Sequence, residues 1–236
     1  MTADRRQILR EMGLGPLWKL RAASAAPPVE VLAPSVSPAA TIAPAVMAAA
    51  LNWDELATAV AACRRCRLCE ARKQAVLGVG DREADWLFVG EGPGAEEDQR
   101  GEPFVGQAGK LLDNMLAAIG LKRGQDVYIA NAVKCRPPEN RTPAPEEAAA
   151  CRPYLERQVE LIRPKLIVAL GRPAAQTLLQ AEVKIAAARG KLHDYHGIPL
   201  IVTYHPAYLL RTLLDKAKAW EDLCFMRRTM AAQKGG

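Results

Sequence analysis

Six cysteines are the residues of this chain with the clearest capacity for chemistry. Cys63 and Cys66 form a C-x2-C pair, and Cys135 and Cys151 form a second pair with 15 residues between them. Two such pairs can bring four thiolates together, an arrangement that suits either tetrahedral zinc or an iron–sulfur cluster. The spacing therefore predicts metal binding and leaves the choice of metal open.

The two remaining cysteines fit that site less well. Cys69 extends the first pair to C-x2-C-x2-C, so one of its three thiols is surplus. Cys224 lies in an apolar helical pattern, where a thiol behaves as a small hydrophobic side chain. A disulfide framework is typical of small secreted chains, whereas this chain has no apolar export signal and has ample residues for a core. Metal chemistry is the better interpretation.

A glycine-rich segment, GEGPGAEED at residues 90–98, follows the first predicted strand. It does not match a phosphate-binding loop, because no Gly-Lys-Ser/Thr follows and its four carboxylates would repel a polyphosphate. Its glycines instead allow backbone amides to approach a ligand closely, with Glu91 beside that ligand. Glycine turns are common in α/β proteins, so this segment alone identifies no ligand.

Three further residues stand where they could bind a flat, polar ligand. Phe104, in the loop GEPFVG, could provide an aromatic platform or pin the loop to the core. Asn131 ends an apolar strand, where a buried amide needs partners for its donor and acceptor atoms and could read the edge of a base. His205 follows a later strand. His193 and His196 are expected on opposite faces of a strand, so we do not predict that they chelate a metal together.

Alternating strands and helices must position these residues. Apolar runs predict strands over 85–90, 126–133, 165–170, 191–196 and 199–203, and helical periodicity predicts helices over 107–119, 145–162 and 216–229, with another from Pro173. Such alternation predicts a mostly parallel sheet with helices on both faces. Ligands bind such sheets beyond the carboxyl ends of the strands, where the glycine loop, Asn131 and His205 are all expected.

The length of 236 residues predicts one well-filled domain with an appendage. Residues 1–21 contain a short amphipathic pattern, residues 22–50 hold 12 Ala and 5 Pro and predict a semi-extended linker, and residues 51–236 form the folded domain. No run approaches the roughly 18 apolar residues that cross a bilayer, so we expect no membrane contact and a cytoplasmic location. The net charge of +6 permits an anionic partner without requiring one.

Six segments occur in the order and spacing of the family 4 uracil-DNA glycosylases, the iron–sulfur type. They are C-x2-C, GEGPGAEED, GEPFVGQAGKLL, YIANAVKC, a cysteine sixteen positions further on, and YHPAYLLR. The resemblance runs from about residue 63 to the C-terminus and does not cover residues 1–50. It implies a three-layer α/β/α sandwich with a mostly parallel four-stranded sheet. It also implies a [4Fe-4S] cluster on four ligands, Cys63, Cys66, Cys135 and Cys151.

The resemblance implies an enzyme that hydrolyses the N-glycosidic bond of uracil in single- or double-stranded DNA and leaves an abasic site for base excision repair. We expect a monomer, although the sequence leaves the oligomeric state open. The flipped uracil would stack on Phe104, and its O4 and N3–H edge would pair with Asn131. Glu97 would fill the space of the thymine C5-methyl group. His205 would stabilise the negative charge that develops on uracil O2 as the bond to the sugar breaks.

Two further features complete the implied site. Glu91 and the backbone of Gly92 would position the water or the sugar, and the sequence leaves open whether Glu91 is a general base. One segment would wedge into the minor groove in place of the departed base. It comprises Tyr208, Leu209, Leu210 and Arg211.

Two other functions remain open. A non-catalytic iron–sulfur or zinc protein that binds nucleic acid would explain the cysteines and the charge, but not why Glu91, Phe104, Asn131 and His205 follow successive strands. A glycosylase of the same superfamily with another specificity, such as hypoxanthine removal or covalent uracil capture, is the second. The covalent-capture relatives carry a basic loop ending in histidine after the Asn131 strand, and the segment CRPPENRTP here has no histidine.

Overall fold

Apolar strands build a sheet at the centre of the molecule. A computed structural model describes residues 51–234, and the predicted segments 1–21 and 22–50 therefore lie outside the described residues. The strands follow the order β1-β3-β2-β4-β6-β5 across the sheet. Their bounds are β1 Val79–Gly80, β2 Trp86–Gly90, β3 Val127–Asn131, β4 Leu166–Leu170, β5 Leu192–Tyr195 and β6 Ile198–Thr203.

The four inner strands are parallel, as the sequence predicts, but the sheet is wider than the four strands expected. β3, β2, β4 and β6 pair in parallel, whereas β1 and β5 add antiparallel edges and bring the total to six. β1 has only two residues, too few for an alternating pattern to reveal it. β5 forms the predicted hairpin with β6, which turns at Gly197 with a φ of +86°.

The predicted helices over 107–119, 145–162 and 216–229, and the one from Pro173, are confirmed, although the last in the chain extends to Lys234. Helices follow most strands, and nine lie within residues 51–234. They are α1 Trp53–Ala61, α2 Leu68–Ala71, α3 Ala95–Arg100, α4 Gln107–Ala118, α5 Pro145–Ile162, α6 Arg172–Leu179, α7 Ile185–Ala188, α8 Pro206–Arg211 and α9 Lys216–Lys234. Two short 3-10 turns cover Pro138–Asn140 and Leu213–Asp215. Within residues 51–234, no helix has both the length and the apolar character needed to cross a membrane.

Successive strand residues point to opposite faces of the sheet, and each face is covered by helices. On one face, Leu87 and Val89 pack with side chains of α5 and α6. On the other, Trp86 and Phe88 pack with side chains of α4 and α9. All residues of β2, β3 and β4 are buried, which explains why these strands read as continuous apolar runs. The arrangement confirms the predicted three-layer α/β/α architecture.

A third apolar cluster lies outside the two sheet faces and surrounds several cysteines. Leu56 and Val60 of α1 pack there with Tyr154 of α5 and with Cys135 and Cys151. α1 begins at a capping box in which Asn52 accepts hydrogen bonds from the backbone N–H groups of its first turn. This cluster attaches the first cysteine pair to the rest of the domain.

Candidate active site

A cavity of about 780 Å³ opens at the carboxyl ends of the parallel strands. Glu91 follows β2, Asn131 ends β3 and His205 follows β6, and all three line the cavity together with Phe104. The structure thus brings together four side chains that are distant in sequence. Their convergence agrees with the general rule that parallel sheets bind ligands at this edge.

Gly90 allows the Phe104 ring and the Asn131 amide to meet at the end of β2. A Cβ atom at Gly90 would lie 2.4 Å from Asn131 Oδ1 and 2.6 Å from the Phe104 ring. Only a residue without a side chain therefore fits there. The Phe104 ring also lies against His205, with 5.4 Å between ring centroids and 29° between ring planes.

Asn131 presents an unused acceptor to the cavity. The residue is 2% exposed, and its Oδ1 atom is one of two buried side-chain N or O atoms within residues 51–234 that have no hydrogen-bond partner. An unsatisfied buried acceptor costs about 1–3 kcal/mol, so such an atom is rarely left without a role. Its position at the cavity suits a ligand that donates a hydrogen bond.

His205 is a neutral hydrogen-bond donor at neutral pH. Its Nδ1 atom accepts a hydrogen bond from the backbone N–H of Ala207 at 3.1 Å, so the single proton of the neutral ring lies on Nε2. Burial lowers the pKa of His205 to about 4, the positive charge of Arg211 acts in the same direction, and Glu97 opposes both. The ring can donate through Nε2 without first taking up a proton.

Glu97 lines the cavity, but its carboxylate is already engaged by backbone groups. Oε1 accepts from Val105 N at 2.9 Å and Gly106 N at 3.0 Å, and Oε2 accepts from Gly94 N at 3.1 Å. The side chain therefore joins the first turn of α3 to the loop that carries Phe104. The predicted exclusion of a thymine methyl group remains a prediction, and the anchoring of this loop is a function that the sequence did not indicate.

Glu91 lies between this cavity and an adjoining one of about 470 Å³. Burial raises the pKa of Glu91, while a hydrogen bond with Thr142 and the charge of Arg172 act in the opposite direction. The adjoining cavity is not lined by Phe104, Asn131 or His205, so we place ligand binding in the larger one. Gly92 also lines the larger cavity, beside Glu91.

The segment predicted to wedge into DNA is helical, and one of its four residues is buried. Tyr208 to Arg211 lie in α8, where Leu209 is 1% exposed and packs into the sheet-face core, so its burial argues against the predicted DNA contact, which stays a prediction. Tyr208 and Arg211 line the cavity, and Leu210 is 41% exposed. The apolar periodicity of α8 turns Leu209 inward and its neighbour outward.

Within residues 51–234, the most exposed leucines come shortly after α8, and no role for them was predicted from the sequence. Leu213 is 63% exposed and Leu214 is 89% exposed, in the 3-10 turn that follows α8. Two adjacent leucines just beyond a helix that already buries its apolar side were the available signal. The hydroxyl of Tyr208 donates to Asp215 Oδ2 at 2.6 Å and so ties this turn to α8.

Four of the cysteines line one small cavity, as the two-pair spacing predicts. They are Cys63, Cys66, Cys135 and Cys151. Cys69 and Cys224 do not line this cavity. Arg72 Nη1 donates to Cys135 Sγ at 2.8 Å, and burial raises the pKa of the Cys151 thiol to about 12. In the part of the chain described, no group of three or more His, Cys, Asp or Glu side chains converges on a position for a single metal ion. A [4Fe-4S] cluster makes a different demand, because its four thiolates bind four separate irons of a larger core.

Lys134 links the cavity lined by the four cysteines to Asn131, which lines the large cavity. No role for this lysine was predicted from the sequence. It is 1% exposed, and its Nζ donates to Asn131 O at 2.8 Å and to Gln158 Oε1 at 2.5 Å. Its backbone N donates to Cys151 Sγ at 3.2 Å. Burial lowers the pKa of Lys134 to about 8, and the neighbouring cysteines oppose that shift. A lysine between the end of an apolar run and a cysteine was the signal available.

Comparison with known proteins agrees with this geometry. Residues 77–224 match the model of the uracil DNA glycosylase superfamily. A type-4 uracil-DNA glycosylase of Archaeoglobus fulgidus is 48% identical over 67% of this chain and 83% of its own. Type-4 enzymes of Thermotoga maritima and Saccharolobus solfataricus are 50% and 46% identical, over 63% and 67% of this chain and 78% and 77% of theirs. The chain belongs to the type-4 uracil-DNA glycosylase family.

Proposed function

We propose that the protein removes uracil from DNA by hydrolysing its N-glycosidic bond, as the names of its type-4 relatives indicate for them. The observation that carries this assignment is the unpaired Oδ1 atom of Asn131, which lines the same cavity as the Phe104 ring and the His205 imidazole, whose proton lies on Nε2. A flat ring with an N–H group and two carbonyl oxygens matches these three groups. Uracil is such a ring.

Asn131 selects the base by the order of its donor and acceptor. Uracil N3–H donates to Oδ1, and uracil O4 accepts from the side-chain N–H group. Cytosine presents an acceptor at N3 and a donor at its exocyclic amine, so both pairs would fail. Each unpaired buried group costs about 1–3 kcal/mol. Cytosine is therefore excluded although its size is nearly the same.

Phe104 holds the base once it has left the duplex. A base inside a helix cannot be reached, so the nucleotide rotates into the cavity at a cost of a few kcal/mol. Stacking on an aromatic ring offsets part of that cost. Glu97 stands on the cavity wall and, through the loop it anchors, fixes where the ring lies.

His205 and Glu91 act on the bond itself. As the bond from uracil N1 to the sugar C1′ breaks, its electron pair moves onto the base, and His205 Nε2–H donates to the developing charge on O2. Water then adds to C1′. Glu91 and the backbone of Gly92 orient that water, and the carboxylate of Glu91 can accept its proton because burial raises the pKa of Glu91.

We further propose that Cys63, Cys66, Cys135 and Cys151 hold a [4Fe-4S] cluster. Their shared cavity supports this, and so do two cations beside it: Arg72, which donates to Cys135 Sγ, and the buried Lys134, whose Nζ contacts only oxygen acceptors. Four thiolates would supply the negative charge that a buried cation needs. When bound, the cluster supplies a crosslink between two chain segments, since uracil excision moves no electrons.

Paired cysteine variants test the cluster. Cys135→Ser removes one ligand, so we expect most of the bound iron and acid-labile sulfide to be lost. Cys224→Ser, which alters a cysteine outside the cavity, is the matched control and should retain both. Stoichiometric zinc without iron or sulfide in anaerobically prepared wild-type protein would contradict the proposal.

DNA would approach the cavity mouth from the side of α8. Arg211 and Arg172 line the cavity and can contact phosphates, while the exposed Leu213 and Leu214 can fill the gap that a flipped base leaves. We therefore propose these leucines, with Leu210, as the minor-groove wedge. A monomeric state and a cytoplasmic location remain predictions from the sequence.

The activity has a direct test. Purified protein is incubated with an oligonucleotide that contains one uracil, and alkali then cleaves any abasic site. We expect cleavage at the uracil position only and release of free uracil. Cluster-loaded protein that leaves the oligonucleotide resistant to alkali would contradict the proposed function.

A further inference from the structure

The backbone of Phe104 is held in a conformation that this residue seldom adopts. Its φ is +55°, in the left-handed region, where residues other than glycine are uncommon and persist only when their surroundings hold them. That backbone conformation fixes the direction of the Cα–Cβ bond that carries the ring. Whatever holds the backbone therefore also fixes the point from which the stacking platform extends.

Arg123 holds the Phe104 loop from the carbonyl side. Its Nη1 donates to Pro103 O at 2.9 Å, and its Nη2 donates to Phe104 O at 2.8 Å. Its Nε donates to Asp113 Oδ1 of α4 at 2.9 Å, which fixes the plane of the guanidinium. The side chain is 23% exposed. One side chain thus connects two consecutive carbonyls of the loop to a helix.

Two other contacts show how closely this loop is fixed. On the amide side, Glu97 accepts from Val105 N and Gly106 N. On the helix side, a Cβ atom at Gly109 would lie 1.7 Å from Phe104 O, so the carbonyl that Arg123 binds rests directly against α4. The loop is therefore fixed on both sides of Phe104. Of the side chains that fix it, Arg123 is the one that binds the carbonyl of Phe104.

We propose that Arg123, oriented by Asp113, is a positioning residue that sets the Phe104 ring for stacking on the flipped base. This inference rests on the proposed function. Arginine suits the task because its planar fork donates to two acceptors at a fixed separation, whereas a lysine ammonium is a single point donor. The sequence offers no hint of it, because Arg123 lies in a polar turn nearly twenty residues after Phe104.

Three variants test the proposal against a matched control. Arg123→Met removes the fork and keeps much of the stem, and Arg123→Lys keeps the charge. Asp113→Asn weakens the contact that orients the fork. The control is Arg157→Met, since Arg157 also donates to a carbonyl and a carboxylate, those of Leu51 and Glu160, but does not line the cavity. Melting temperature and iron content are measured for each variant.

The readout is single-turnover uracil excision at varied enzyme concentrations. For Arg123→Met we expect the half-saturating concentration to rise about 10-fold or more, with a smaller fall in the rate at saturation, because stacking holds the base before chemistry. Arg123→Lys should recover only part of the loss, and Asp113→Asn should lie between the wild type and Arg123→Met. Arg157→Met should match the wild type.

A double-mutant cycle tests whether the effect of Arg123 on uracil excision depends on the Phe104 ring. In a Phe104→Ala background, Arg123→Met should add less than about a 3-fold further loss, because the ring it positions is gone. An equal loss in both backgrounds, or an Arg123→Met protein that matches Arg157→Met, would overturn the inference. Both outcomes require an active wild type, so they are distinct from failure of the proposed function, in which the wild type itself releases no uracil.

Discussion

Single residues divide the site between recognition and chemistry. In the proposed function, Asn131 offers uracil an acceptor and a donor in the order that this base requires. His205 would meet uracil O2, whose negative charge appears only as the bond to the sugar breaks. Interactions of the first kind strengthen binding, and those of the second kind accelerate the reaction. Substitutions at the two positions should therefore have different kinetic signatures.

His205→Ala should lower the single-turnover rate at saturation by about 100-fold or more, because it deletes one donor to a developing anion. Affinity for uracil-containing DNA should change only a few-fold, because that charge is absent in the bound substrate. Rapid-quench kinetics and a binding titration measure the two quantities. Loss of affinity with an intact rate at saturation would mean that His205 contacts phosphate or serves the fold.

The acid limb of the pH–rate profile should report Glu91 and not a histidine. Burial raises the pKa of Glu91 above its usual 4.5, so the rate should fall as acid protonates this carboxylate, with a midpoint above 4.5. His205 is neutral down to about pH 4, so it contributes no step near 6.5. Glu91→Gln should slow excision and flatten the limb. A limb near 6.5 that persists in Glu91→Gln would contradict both assignments.

Residue types were readable from the sequence, but their atomic states were not. Asn131 and His205 were predicted as site residues because polar residues at or just after the end of an apolar strand reach the ligand-binding edge of a parallel sheet. The unused Oδ1 atom, the Nε2–H tautomer and the engaged carboxylate of Glu97 depend on neighbours that are distant in the chain. Arg123 and Lys134 were missed for the same reason, since neither belongs to a periodic pattern that points to the cavity.

Secondary-structure elements supply the convergence of these side chains. The inner strands were predicted because their continuous apolar runs follow from burial on both faces. The short edge strand β1 was not predicted, because two residues carry no period. α8 was expected as a wedge segment, and its helical turn instead buries Leu209. Exposure in a short helix depends on which core it packs against, which local sequence does not specify.

The double variant Leu213→Ala, Leu214→Ala tests the revised wedge. If these leucines fill the gap beside a flipped base, excision from duplex DNA should fall about 10-fold or more, because unstacking a base step costs a few kcal/mol. Excision from single strands should fall much less. Leu192→Ala is the control, since Leu192 is 53% exposed on the edge strand β5 and does not line the cavity. Equal losses on both substrates would reject the wedge.

In the molecule as a whole, β3 and the segment after it connect the large cavity, lined by Asn131, to the small cavity lined by four cysteines. Asn131 ends the strand, and Lys134 donates to its carbonyl through Nζ. The backbone N–H of Lys134 donates to Cys151 Sγ, and Cys135 is the next residue in the chain. A cluster that crosslinks these cysteines would therefore stabilise the end of β3, which carries Asn131, without taking part in the reaction. The proposed enzyme is one in which a structural centre and a reactive centre share a single short segment.

The most direct test compares single-turnover rates on oligonucleotides that differ only in one base, uracil, cytosine or thymine, for the wild type and Asn131→Asp. We expect the wild type to release uracil at least about 100-fold faster than cytosine, because cytosine would leave two buried groups unpaired. Thymine pairs as uracil does, so we expect its slower release to come from its C5-methyl group, which Glu97 is predicted to exclude. Asn131→Asp should excise uracil far more slowly, and the ratio of its uracil rate to its cytosine rate should be smaller than that of the wild type. Uracil excision at the wild-type rate by Asn131→Asp, or equal release of uracil and cytosine by the wild type, would contradict the account.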